Sequence, residues 1–529
     1  MVAAWLDVGE NSGQTPRLAW GVPALSTHAV CPAGTPRLVW GAPMRGGSET
    51  AGRRMVFSSP EFIFLFLPFV VLLFHALNRL CAHRAAVVHV FLCSLFFYGY
   101  WKFANLHVLV CSILFNYLAG NVLYGATRGR KFLFITAVGC NLCSLGYYKY
   151  TNFFIESCNA ALGWQLACLD IALPIGISFF TFQQIAYLAD IYTGRFNPTG
   201  QGFLGYSLFV SFFPQLVAGP IVHHREMIPQ FESLRHKAAD WQDIYHGLLF
   251  FSMGLAKKVL MADNLSPVVA LAFDQTASLT VGEAALGSLA YTLQLYFDFS
   301  GYSDMAVGCG RLMGIKLPWN FDSPYKSKDL QEFWRRWHIT LSRWLRDYLY
   351  IPLGGSRRGR GRTLANLCLT FLLGGLWHGA AWTFVLWGAL HGAGLAVHRL
   401  WHASGRALPG WLGWLVTFAF VNAGWVLFRA GDFACVHKFA VALSGANGLG
   451  VSPSFAKALF ATSIFNDLPT VTVTVGLFAL LAIAGKNSQQ VILAPHGRLL
   501  PLCCMVLLAV ALIFVLLPGQ TQEFIYFQF

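Results

Sequence analysis

The sequence predicts an all-α, polytopic integral membrane protein, and three observations lead there. Hydrophobic residues make up 56% of the 529 positions and charged residues only 11%, against about 25% charged in an ordinary soluble domain. Apolar runs of about 20 residues, the length that spans a hydrocarbon core about 30 Å thick, recur along the chain. Short loops rich in Lys and Arg separate several of them, as the positive-inside rule requires of cytoplasmic loops. The formal net charge of +14 therefore reads as membrane topology and contact with lipid, and excludes nucleic acid as the implied partner.

Residues 1–54 differ in kind from the rest. They are rich in Gly, Pro, Ser and Thr and hold no apolar run long enough for a signal peptide. The stretch Thr15-Pro16-Arg17-Leu18-Ala19-Trp20-Gly21 returns as Thr35-Pro36-Arg37-Leu38-Val39-Trp40-Gly41, too few copies for a repeat fold. The expectation is a disordered extension from a misassigned start, with Met55 the true one and 55–529 a single membrane domain.

From Met55 onward, spans are expected at Phe62 to Leu80, Ala85 to Tyr100, Leu106 to Tyr124 and Phe132 to Tyr148. Arg79 and Arg84 flank one loop, and Arg128, Arg130 and Lys131 mark another two spans later, so both loops face the cytoplasm and the amino terminus lies outside. Between Leu169 and Ile228, Pro174, Gly176, Pro214, Gly219 and Pro220 interrupt apolar sequence, the pattern of broken or re-entrant helices shielded by protein. Later spans are expected at Gly247 to Met261, Leu286 to Phe299, Leu364 to Val385, Leu386 to His398, Leu412 to Phe428, Val471 to Ile483 and Leu502 to Leu517. The total is about 11–13 membrane helices, with boundaries good to about two to four residues. Leu386 to His398 is shorter than a full crossing and reads as partly inserted.

The 13 cysteines are scattered, and Cys93, Cys111, Cys368 and Cys503 lie in apolar runs where a thiol behaves as a small hydrophobe. Cys140 and Cys143 have CxxC spacing, but with no second pair or neighbouring histidine cluster they imply no metal site.

The densest charge falls in Asp322 to Arg362. Within it Leu330, Phe333, Trp334, Trp337, Leu341, Trp344, Leu345 and Tyr348 recur every three or four residues, with Arg335, Arg336, Arg343 and Arg346 mostly off that stripe. An amphipathic helix is expected, and periodicity alone favours an interfacial one with tryptophan anchors. The basic run Arg357 to Arg362 then places the start of the next span at the cytoplasmic face.

His378 lies sixteen residues beyond Arg362, about 24 Å along an ideal helix and past the centre of the bilayer. A polar residue at that depth faces a wet cavity or a partner. Imidazole titrates near neutrality when unperturbed and can accept a hydroxyl proton, so His378 leads as general base; a packing histidine among Gly374, Gly375 and Gly379 is the alternative. His391 is about 20 Å further along a continuous helix, reaching the same substrate atom only if the chain turns between them, and is taken as supporting. Asp298, Asp304 and Lys149 are other ionisable groups in apolar sequence, either structural pairs or part of a proton route. No phosphate loop, dinucleotide fingerprint, HExxH or nucleophile elbow is present. Chemistry therefore rests on histidine. A transporter that breaks no bonds, or a pore-forming scaffold, would share the broken helices and buried charges.

The pairing of Trp334-Arg335-Arg336-Trp337-His338 with Leu376-Trp377-His378-Gly379-Ala380 on a many-span chain resembles the membrane-bound O-acyltransferase (MBOAT) family. Phe213-Pro214-Gln215-Leu216-Val217-Ala218-Gly219-Pro220, Asp298-Phe299-Ser300-Gly301-Tyr302-Ser303-Asp304, Asp347 through Gly355 and the terminal Glu523 through Phe529 are similar to its alginate-acetylating bacterial branch. The resemblance covers 55–529. It implies a central tunnel, with His378 the principal catalytic histidine and His338 the second, and Trp337, Trp377, Asp298, Asp304, Arg336 and His391 lining or supporting it. It further implies an acetyl thioester donor such as acetyl-coenzyme A, not tightly bound, entering from the cytoplasm. No metal is implied. The acetyl group would cross a bacterial inner membrane to periplasmic acetyltransferase partners and a polysaccharide, alginate foremost; cellulose, peptidoglycan and teichoic acid D-alanylation are acceptors of related branches.

Overall fold

The computed structural model describes residues 55–80, 82–200, 202–233, 240–462, 465, 467–495, 497, 499–517 and 524–525. The expected disordered extension, its repeat and the misassigned start lie outside them, as does most of the terminal Glu523 to Phe529 motif. Every regular element among the described residues is helical. Among the described residues, five helices are each long and apolar enough to cross a membrane: Phe62–Arg79, His83–Trp101, Phe103–Gly125, Gly410–Arg429 and Leu499–Leu516. These follow the expected spans closely, because each is bounded by a clear fall in hydropathy.

Elsewhere helices run past the expected ends. The span placed at Phe132 to Tyr148 is part of a continuous helical stretch over 130–162, interrupted only by a π turn at Gly146–Tyr150. Those placed at Gly247 to Met261 and Leu286 to Phe299 belong to stretches over 241–275 and Val281–Leu312. The latter two pack antiparallel with their backbones in contact. A Cβ on Gly254 would stand 2.5 Å from the Gly301 carbonyl oxygen and 2.7 Å from the Met305 nitrogen, and one on Gly308 2.8 Å from the Gly247 carbonyl oxygen. Small residues at a helix contact are what lets such backbones approach. Gly254→Val is therefore expected to destabilise the protein by about 1–3 kcal/mol, the usual range for overpacking. Gly139→Val, where nothing lies within 4 Å of the added carbon, is the control for thermal unfolding in detergent.

Salt bridges run up the same contact. Arg311 pairs with Asp243 at 2.9 Å, Lys257 with Asp304 at 2.7 Å, and Lys258 with both Asp298 at 2.8 Å and Asp263 at 2.7 Å. Three of these four pairs join one helix to the other, which fixes their register.

The Pro and Gly interruptions between 169 and 228 mark a true break. Phe203–Ser211 and Phe213–Leu216 are short helices, the chain is irregular through Pro220, and His224–Ser233 follows. Every residue from 206 to 222 is buried, so the irregular backbone is shielded by protein, as a membrane environment demands. Side chains take up its amides: Phe213 N donates to Ser94 Oγ at 3.1 Å, and Ile221 N to Thr340 Oγ1 at 2.9 Å.

Two expectations change. Leu386 to His398 is not a partly inserted helix but part of Trp382–Ala403, 22 residues long, and the preceding helix ends at His378 rather than Val385. The least apolar part of this run is Trp377-His378-Gly379 with Trp382-Thr383, and the expected boundary at Val385 falls less than a turn beyond it. The amphipathic segment is likewise not one helix lying on lipid. It is Leu330–Arg336 and Ile339–Leu345 with a break at Trp337-His338, and its apolar stripe of Leu330, Phe333, Trp334, Trp337, Leu341 and Trp344 is buried in protein. The periodicity is as expected; the surface it meets is aromatic side chains instead of acyl chains. Cys140 and Cys143 both face outward, and no group of three metal-binding side chains occurs among the described residues.

Candidate active site

The break that ends the Arg360–His378 helix also builds the site. Gly379 and Ala381 are both extended, at φ −155° and −149°, so the chain reverses within three residues. The two helices then pack through Gly375, where a Cβ would collide with the Phe384 carbonyl and stand 2.9 Å from Gly388 Cα. This turn returns His391 to the neighbourhood of His378, the condition under which the two could cooperate. Trp387 stands between them, its ring centroid 5.2 Å from that of His378 and 4.8 Å from that of His391.

His338 arrives from the other direction. It occupies the left-handed region, φ 42° and ψ 54°, shared among non-glycine described residues only with Ser323. Such a backbone is uncommon for a side chain this size and persists only where its surroundings impose it. Here Asn320 imposes it: its carbonyl accepts from Ile339 N at 2.9 Å and its Oδ1 accepts from Thr340 Oγ1 at 2.6 Å. Thr340 Oγ1 in turn receives the Ile221 amide of the irregular segment, so His338 and that segment are locked together. His338, Lys149 and His391 all lie within electrostatic reach of the His378 ring.

The histidines are enclosed, with His338 and His391 at 0% and His378 at 5% exposure. Their walls are aromatic. Trp334 meets His391 edge-on at 5.1 Å, Phe428 meets His378 at 5.2 Å, Phe299 meets His338 at 4.8 Å, and Trp337 packs on Trp425 at 4.8 Å. Four buried indole N–H groups here, those of Trp334, Trp377, Trp387 and Trp425, and both ring nitrogens of His391 have no hydrogen-bond partner among the described residues. Buried polar groups are nearly always satisfied. These unpaired groups gather in one aromatic cluster around the three histidines.

Of the other residues singled out from sequence, Trp337 and Trp377 pack in this aromatic cluster, Trp377 at 5.0 Å from His378 and stacking on Phe182 at 5.0 Å. Arg336 does not: it pairs with Glu332 at 2.8 Å, and the Asp322 carbonyl accepts its guanidinium at 3.4 Å. Asp298 and Asp304 are engaged in the ion pairs with Lys258 and Lys257, and Asp298 Oδ2 also accepts the Ile525 amide at 2.9 Å. Of the alternatives left open for these two, the geometry is that of structural pairs. Asn320, Trp387 and Trp425 carried no signal in the sequence. Lys149 did, as an ionisable residue in apolar sequence, but its partners were not legible there.

Residues 193–430, which hold all three histidines, match the family described as MBOAT, membrane-bound O-acyltransferase family. The chain is 40% identical over 520 residues to the peptidoglycan O-acetyltransferase of Helicobacter pylori, covering 90% of this chain and 98% of that protein. It is 44% identical over 385 residues to the probable alginate O-acetylase AlgI of Pseudomonas aeruginosa, covering 71% and 72%. A teichoic acid D-alanyltransferase of Bacillus subtilis is 28% identical over 277 residues, covering 49% and 69%. With an all-helical membrane fold, a cluster of buried histidines and a 40% identical relative matched over 98% of its length, the chain belongs to the membrane-bound O-acyltransferase family and is a membrane-bound acyltransferase.

Proposed function

We propose that the protein transfers an acetyl group from a cytoplasmic thioester, such as acetyl-coenzyme A, to a hydroxyl destined for a cell-envelope polysaccharide. In this reading His378 takes the hydroxyl proton as the oxygen attacks the thioester carbonyl, the C–S bond breaks, and the thiol leaves. His338 and His391 shape the surrounding cluster, and Trp337 and Trp377 line it. The observation that carries the reading is the cluster of buried imidazoles and unpaired indole N–H groups, held away from bulk water as acyl transfer to a hydroxyl requires. Periplasmic acetyltransferase partners would receive the group on the far side of a bacterial inner membrane.

Two acceptors deserve measurement, because relatives named for each match this chain well: an exopolysaccharide such as alginate, and the glycan strands of peptidoglycan. The test supplies radiolabelled acetyl-coenzyme A to membrane vesicles from a deletion strain carrying the gene or an empty vector. Label should appear as ester on one polymer, with an equal amount of free thiol, only where the protein is present. Uptake of intact thioester without thiol release would establish a transporter instead.

His338→Asn probes the second histidine without disturbing its backbone, since Asn also tolerates left-handed φ. The variant is expected to keep its thermal midpoint while acetyl transfer in the same vesicles falls on the order of 10²-fold, as when a group that positions the reacting atoms is lost. Full activity would reduce His338 to a packing residue.

A further inference from the structure

We propose that Lys149 is a positioning residue for His378, its ammonium closing the end of the helix on which that histidine sits.

An α-helix leaves its last four carbonyls without intrahelical donors. In the Arg360–His378 helix each one is accounted for. The Gly375 carbonyl takes the Gly379 amide at 3.4 Å. The Leu376 carbonyl takes the Tyr150 hydroxyl at 2.9 Å. The carbonyls of Trp377 and His378 both take Lys149 Nζ, at 2.6 and 3.1 Å. The usual glycine cap is unavailable, because Gly379 is extended rather than left-handed. Water is a poor substitute in an enclosed membrane site.

Lys149 is suited to this by charge as well as by geometry. It pairs with no carboxylate among the described residues; its other contacts are the Ser178 hydroxyl at 3.4 Å and the face of the Trp377 ring at 5.9 Å. Its positive charge instead meets the negative end of the helix, which carries about half an elementary charge. Lys149 and Tyr150 both belong to the π turn that interrupts 130–162, one of five π segments among the described residues and a distortion frequent at functional sites. Nζ touches the carbonyl of His378 itself, so losing it frees the peptide that aims the imidazole. A displacement of about 1 Å in a reacting group lowers rate by about 10²-fold.

This inference rests on His378 acting in the transfer, and the experiment separates the two. Lys149→Met, Lys149→Arg, Tyr150→Phe, His378→Ala and the Lys149→Met/His378→Ala double variant are compared in membrane vesicles at matched protein levels, varying acetyl-coenzyme A. Lys149→Met should lower the maximal rate by about ten- to 10²-fold with KM for acetyl-coenzyme A nearly unchanged. Lys149→Arg, which keeps the charge and the donors, should recover part of the loss, and Tyr150→Phe should show a smaller loss of the same kind. The double variant should be no slower than His378→Ala alone, because residues acting as a unit are not additive. A Lys149→Met enzyme with wild-type maximal rate, or further loss in the double variant, would overturn the inference. Should Lys149→Met fail to fold, an unchanged maximal rate in Tyr150→Phe together with an inactive but folded Lys149→Arg would also overturn it. Wild-type activity in His378→Ala would sink the functional reading instead.

Discussion

His378→Ala should lower acetyl transfer by about 10² to 10⁴-fold, the usual contribution of a positioned acid–base group, with the protein still reaching the membrane. The ring sits among Trp387 and Phe428 at centroid distances of 5.2 Å each and beside Trp377 at 5.0 Å. Its removal leaves a space bounded by large rings that support one another, and the Lys149 and Tyr150 contacts to the helix end involve only backbone carbonyls, which alanine retains. Loss of rate with preserved folding is therefore the expected signature. It is read from polymer-bound acetyl ester per molecule of protein, with thermal unfolding in detergent as the check on folding. Wild-type transfer by His378→Ala would remove the histidine from the chemistry.

The largest effect on stability should come from Lys258→Met. Lys258 is 4% exposed and bridges Asp263 and Asp298, which are 6% and 1% exposed. Methionine fills nearly the same space, so packing changes little. What changes is that two buried carboxylates lose their shared cation, and breaking a buried ion pair from one side costs about 3–5 kcal/mol. Asp298 also holds the Ile525 amide, so the described part of the carboxyl-terminal segment should loosen with it. The expected result is a large fall in the thermal midpoint and in the fraction of monodisperse protein after detergent extraction. Adding Asp263→Asn and Asp298→Asn to Lys258→Met should restore much of the loss, since neutral amides no longer demand a counter-ion. If the single variant were as stable as wild type, the Lys258–Asp298 pair at 2.8 Å would not be what holds the Val281–Leu312 helix in register.

Both variants concern groups whose importance, though not whose roles, can be read from the chain. An ionisable residue in apolar sequence must find a partner or a purpose, which singles out His378, Asp298, Asp304 and Lys149. Which of the two each one finds is a matter of distance in space. Asp298 and Asp304 meet lysines on the neighbouring helix; Lys149 meets backbone carbonyls 228 and 229 residues away.

The sequence by itself determined that this is a helical membrane protein, because so low a charge content cannot be solvated otherwise. It determined the broken region before Ile228, because Pro and Gly disrupt helices wherever they sit. It also determined the apolar stripe from Leu330 to Trp344, because helical periodicity is a local property, but not that protein instead of lipid covers it. Tertiary structure alone decided that this stripe bends at a left-handed His338, since the bend is imposed by Asn320 and by Thr340 holding the Ile221 amide. It decided too that the next helix stops at His378, since Gly375 must reach Gly388 and the freed carbonyls must meet Lys149 and Tyr150. Those outcomes depend on groups far apart in the chain, and periodicity and hydropathy register only neighbours within a few turns.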